Sequence, residues 1–71
     1  MTNIAEALVA EIKRMNDVVI PAYQEIVVVA PMTAITVAIL RAEVDAAMQA
    51  LAEGDVIKIL QAYATLKEND L

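Results

Sequence analysis

The sequence predicts an all-α protein in which a long antiparallel helical hairpin and a short third helix pack into a homo-oligomeric helical bundle. Apolar residues recur at intervals of three and four along most of the chain, which is the spacing of one face of an α-helix. Only one glycine and two prolines interrupt this pattern. A chain of 71 residues is long enough for one core, so residues 1–71 are expected to form a single helical domain.

The first helix is predicted over residues 3–27, and a capping pattern marks its start. Thr2 or Asn3 can supply the N-cap oxygen. Glu6 follows near the third helical position, where a capping box places an acidic residue. The apolar stripe of this helix is expected to contain Ile4, Leu8, Ile12, Met15, Val19, Ala22, Tyr23 and Ile26.

Two β-branched runs in the same region raise the alternative of β-strands. Val18–Ile20 and Ile26–Val29 favour strands by propensity. The helical spacing nevertheless continues through both runs, and no glycine turn separates them. Pro21 lies on the polar side of the helix, where water can replace the hydrogen bond that its nitrogen cannot donate. We therefore expect one continuous helix with a kink near residues 17–21.

The middle and last helices are separated by the only glycine of the chain. Pro31 favours a break over residues 28–32 and is suited to a first helical turn. The middle helix is expected to run from there to the residue before Gly54, its C-terminal cap. Asp55 then serves as the N-cap of the last helix, residues 56–67. The apolar face of the last helix is predicted to contain Val56, Ile59, Leu60, Tyr63 and Leu66.

The middle helix carries apolar residues on two sides. The side expected to form the core within one subunit contains Val37, Leu40, Val44, Ala47, Met48 and Leu51. The other side contains Met32, Ile35, Ile39, Ala42 and Ala46, with Ala50 continuing it. A domain of this size buries only about 60% of its surface and has one interior. The second side is therefore predicted to be the subunit or partner interface.

Composition excludes most catalytic and ligand-binding classes. The chain has no histidine or cysteine, so imidazole and thiolate chemistry is absent. It has no serine either, which removes the usual hydroxyl nucleophile. The neighbouring carboxylates Glu43 and Asp45 point to different sides of a helix and do not form an acid pair. We expect no enzyme activity, no catalytic residues, no cofactor and no metal site.

Charge and hydropathy limit the possible partners and location. The formal net charge of −5 opposes binding to nucleic acid. The longest uncharged run, residues 26–40, is shorter than the ~20 residues of a membrane-spanning helix. The first residues lack the basic start of a signal peptide. No membrane partner and a cytoplasmic location are therefore expected.

Self-association is the function that these features favour. Most soluble oligomers are homo-oligomers, so the second apolar side is expected to meet its own copy in a structural or scaffolding role. A small acidic inhibitor or adaptor, which binds a foreign protein through the same face, is the alternative. A pocket for an apolar ligand is a third possibility. The Ala/Ile/Val-rich segment 27–40 leaves open an engineered interface on a natural scaffold.

Overall fold

The computed structural model describes residues 3–69, which form an all-helical structure without β-strands. The elements are α1 (Ile4–Arg14), a π-helical segment (Met15–Val19), α2 (Ile20–Val27), α3 (Thr33–Glu53) and α4 (Val56–Lys67). The first three continue into one another as a single rod, and this rod, α3 and α4 pack against each other. The predicted all-α class is confirmed. The β-branched runs lie in the rod and in the turn after it.

Asn3 begins the first rod. Its backbone is extended, and its Oδ1 accepts a hydrogen bond from the Glu6 N–H at 2.8 Å. This contact satisfies one of the free amide groups at the helix start and confirms Asn3 as the N-cap. Thr2, the other residue predicted for this role, lies outside the described residues.

The π-helical segment changes which residues the second half of the rod buries. The Ile20 N–H donates to the Met15 carbonyl, five residues back, so this turn holds one residue more than an α-turn. Beyond it the buried positions move by one residue: Ile20 is buried, and Val27 packs against the core. The prediction that Ile26 belongs to the stripe is therefore wrong, because Ile26 is exposed. The kink predicted near residues 17–21 stays a prediction.

Gly54 and Asp55 separate α3 from α4 as predicted. Gly54 has φ 68° and ψ 21°, the left-handed conformation, and its N–H donates to the Ala50 carbonyl at 3.0 Å. The Asp55 carboxylate accepts from the amides of Ile57 at 3.0 Å and Lys58 at 3.2 Å. Each helix end thus receives the cap that its residue type favours.

The first rod, α3 and α4 enclose one apolar core. Val27 lines a groove with Ala34, and Asn16 lines another with Asp45, so the first rod and α3 run antiparallel. α4 turns back along α3 and also packs against α1. The buried core residues are Leu8, Met15, Val19, Ile20, Val37, Leu40, Val44, Ala47, Ala50, Ile59 and Leu66.

The position of α4 explains why α3 buries a different set of side chains from the one predicted. α4 packs along the side of α3 that carries Ala47 and Ala50, and both alanines are buried. Ala50, predicted to continue the interface side, therefore belongs to the core. Met48 was predicted to be a core residue, but it is 53% exposed, because the buried side of α3 turns away from it towards these alanines. Leu51 is only partly buried.

The buried face of α4 also differs from the prediction. It contains Ile59 and Leu66, with Ala62 and Tyr63 partly buried beside them. Val56 and Leu60, which were predicted to belong to this face, are exposed. Ala62, on the side of α4 that faces α3, lies near Ala50, whereas Leu60 is turned outward.

Candidate association surface

The five residues predicted as an interface form a continuous exposed strip along α3 and the turn before it. We call this strip the α3 stripe. It contains Met32, Ile35, Ile39, Ala42 and Ala46, all of which are exposed. The three large side chains are 79%, 61% and 57% exposed, in chain order. The intervals between successive members are three, four, three and four residues, which is the spacing of a coiled-coil contact line.

The first part of the stripe stays uncovered because α4 is shorter than α3. The C-terminal end of α4 lies level with the middle of α3, where the Asn69 amide is 3.5 Å from the Glu43 carboxylate. Arg14 holds this end in place, since its guanidinium donates to the Leu66 carbonyl at 2.9 Å and pairs with Glu11 at 2.7 Å. A cation at a helix C-terminus interacts favourably with the helix dipole. Residues 33–42 therefore extend past the helix that covers the rest of α3.

The first half of α3 is apolar on two sides, as the sequence predicts. Val37 and Leu40 are buried in the core, and the first of these also lines a groove with Val27 of α2. Ile35 and Ile39 project from the other side and are exposed. The core within one chain and the α3 stripe are therefore separate surfaces of one helix. Whether a second chain covers the stripe stays a prediction.

A groove of about 410 Å³ lies between the second half of α3 and α4, next to the stripe. Its floor carries Ala46, Ala50 and Ala62, and its polar lining includes Gln49 and Gln61. Ala46 belongs to both the groove and the α3 stripe, so the two features form one continuous surface. Small side chains in such a groove leave room for a larger side chain from another molecule.

An ion pair borders the groove at its closed end. The Lys58 ammonium lies 3.0 Å from the Glu53 carboxylate, and this hydrogen bond raises the pKa of Lys58 above its ordinary value. Both side chains are substantially exposed, so the pair contributes little stability. The pair makes this end of the groove charged, whereas the alanines give the groove its apolar floor.

Other apolar side chains outside the predicted interface are also exposed. Val28 and Val29, at the turn between α2 and α3, are each 83% exposed. Ile57 is exposed beside Val56 and Leu60 at the start of α4. The uncharged run around residues 28–29 is visible in the sequence, but the outward direction of these side chains depends on the turn itself.

Within residues 3–69, no three acidic side chains come close enough to hold a metal ion together. In the same part of the chain, every buried side-chain nitrogen or oxygen has a hydrogen-bond partner. The Lys67 ammonium lies 5.6 Å from the centre of the Tyr63 ring, a cation–π distance. None of the helices over residues 3–69 has the combination of length and hydropathy that crossing a membrane requires.

No protein-family model, curated protein or solved structure matches the chain. The α3 stripe exposes three large apolar side chains on one side of a helix and adjoins the groove at Ala46. Surfaces of this kind are typical of protein–protein contacts.

Proposed function

We propose that this protein is a non-catalytic self-association module whose α3 stripe binds a second copy of the chain. The observation that carries the proposal is the exposure of Met32, Ile35 and Ile39 on one side of a helix whose other side already packs in the core. A helix that is apolar on two sides is typical of a protein interior. In this proposal, a neighbouring subunit supplies the second interior.

The size of the effect makes the proposal testable. Moving a large aliphatic side chain from water into a packed interface contributes about 1.5–3 kcal/mol. A contact between two copies buries the large side chains of both stripes, so each chain contributes to the free energy of association. Charged side chains in place of these residues reverse the sign, because burying them in an apolar interface removes their hydration, which costs several kcal/mol even where two opposite charges lie near each other.

A pair of double variants separates association from folding. We expect Ile35→Glu with Ile39→Lys to reduce the mass in solution to that of one chain and to leave the helical content unchanged, because both side chains are exposed within one subunit. The matched control, Val9→Glu with Val18→Lys, changes exposed apolar residues on the first rod and should keep the wild-type mass. Light scattering reports the mass, and circular dichroism reports the helices.

A third double variant tests the difference between the two sides of α3. Leu40 and Val44 are buried within one chain, so Leu40→Glu with Val44→Lys should unfold it. The proposal fails if the Ile35/Ile39 variant keeps the mass of the wild-type oligomer. It also fails if the wild type has the mass of one chain at every concentration, a result that would leave binding to a foreign protein as the role of the stripe.

A further inference from the structure

We infer that two copies of the chain pair antiparallel through their α3 helices, so that the large residues of one α3 stripe lie opposite the alanines of the other. This inference rests on the proposed function, because it specifies the orientation in which the stripe binds its second copy. It is drawn from the order of side-chain sizes along the stripe and from the position of the α3–α4 groove.

The α3 stripe is graded in size from one end to the other. Its first three members are Met32, Ile35 and Ile39, and its last two are Ala42 and Ala46. In an antiparallel pair centred between residues 40 and 41, Ile39 faces the partner's Ala42, and Ile35 faces the partner's Ala46. By symmetry the same contacts occur twice. Each layer then contains one large and one small side chain.

A parallel pair would place each residue of the stripe opposite the same residue of the other chain. Ile35 and Ile39 would meet their own copies at one end, and Ala42 and Ala46 would meet theirs at the other. Packed helices lie about 8–10 Å apart, depending on the side chains at the contact, so this arrangement would require a different separation at each end. It would splay the helices or leave a void at the alanine layers, whereas interiors are closely packed. The antiparallel pair keeps one separation throughout.

The α3–α4 groove extends the same match beyond the helix pair. In the antiparallel register, Met32 lies opposite the partner's Gln49, which lines the groove. Met32 is the most exposed member of the stripe, and its flexible thioether can fill an irregular space. The uncovered first part of each α3 therefore lies over the α3–α4 groove of the partner. In this position it also lies next to the partner's α4.

Cysteine cross-linking distinguishes the two orientations. The chain contains no cysteine, so an introduced residue is the only thiol. Two exposed members of the stripe are replaced in separate variants, Ile35→Cys and Ala46→Cys. One variant carries a tag that changes its size on a gel, and the two are tested alone and mixed with each other. In the antiparallel pair, residue 35 adjoins residue 46 of the partner. Residue 35 and the partner's residue 35 are about 16 Å apart along the helix axis at a rise of 1.5 Å per residue, and the same holds for the two copies of residue 46. A disulfide requires Cα atoms within about 7 Å.

We expect the mixed variants to form a disulfide-linked pair at least about tenfold faster than the background, because contact raises the effective thiol concentration to the millimolar range. Each variant alone should cross-link no faster than Val9→Cys, an exposed residue of α1 outside the stripe. Circular dichroism checks that the three variants keep their helices. The readout is the band pattern on a non-reducing gel together with the mass by light scattering.

Each other outcome has a definite meaning. Rapid disulfide formation by Ala46→Cys alone, with a wild-type oligomer mass, overturns the antiparallel orientation and leaves the proposed function standing. If the protein is an oligomer but neither the mixture nor either variant alone cross-links rapidly, the antiparallel register is wrong and the proposed function still stands. A mass of one chain together with background cross-linking in every sample contradicts the proposed function, and the inference fails with it.

Discussion

Replacing Gly54 tests whether the left-handed conformation at the end of α3 requires glycine. At this position the structure leaves backbone strain as the one expected cause of destabilisation. Gly54 has φ 68° and ψ 21°, and a Cβ added to it would meet no atom within 4 Å. A steric clash is therefore absent, and only the intrinsic strain of a left-handed L-residue remains, about 1–2 kcal/mol. We expect Gly54→Ala to lower the free energy of unfolding by about 1 kcal/mol, and Gly54→Val by more, because it is β-branched.

Gly54→Asn is the matched control, because asparagine tolerates the left-handed conformation. It should lower the free energy of unfolding by less than Gly54→Ala does. Urea unfolding followed by circular dichroism measures the difference, at one fixed protein concentration because association contributes to apparent stability. An alanine variant as stable as the wild type would refute the reasoning. An asparagine variant that loses as much as the alanine variant would show that the loss has another origin.

Three further substitutions test the core, the second cap and the rod. Leu66→Ala should lower the free energy of unfolding by about 2–5 kcal/mol because the residue is fully buried. Leu60→Ala, at an exposed site, should change it by less than about 1 kcal/mol. Equal losses for the two variants in urea unfolding would contradict the assigned face of α4. Asp55→Ala should cost about 1 kcal/mol through the lost cap, and an unchanged melting temperature would show that the cap is unimportant. Pro21→Ala should leave the helical content by circular dichroism equal or higher, and a lower content would contradict a continuous rod.

The helices and their ends could be predicted because local chemistry decides them. Asn3 and Asp55 accept hydrogen bonds from the first amides of their helices, and Gly54 is the residue type that the left-handed position favours. Each of these effects acts within a few residues of the chain. The number and order of the helices follow from these boundaries together with the apolar spacing.

The exact buried faces could not be predicted from a regular helical wheel. The π-helical segment adds a residue to one turn, so Val27 rather than Ile26 packs inward after it. Likewise, the placement of α4 decides that Ala50 is buried and Met48 is exposed. The placement of α4 depends on contacts between distant parts of the chain, which a periodic pattern does not contain, and a regular helical wheel has no place for the extra residue of a π-helical turn.

The candidate surface was predictable in position but not in extent. The exposure of Ile35 and Ile39 follows from their angle relative to Leu40 on the same helix. The groove beside Ala46 could not be anticipated, because it exists only where α4 packs against α3. The point where α4 ends, near Glu43, likewise depends on the folded arrangement.

Sedimentation equilibrium of the wild-type chain over a range of concentrations measures self-association without any substitution. The mass of one chain is 7.7 kDa. We expect a mass that rises with concentration to a whole multiple of this value, at least twice, and an Ile35→Glu, Ile39→Lys variant that stays at the mass of one chain. A wild type that remains at 7.7 kDa at every concentration would contradict the assignment of the α3 stripe as a contact between copies.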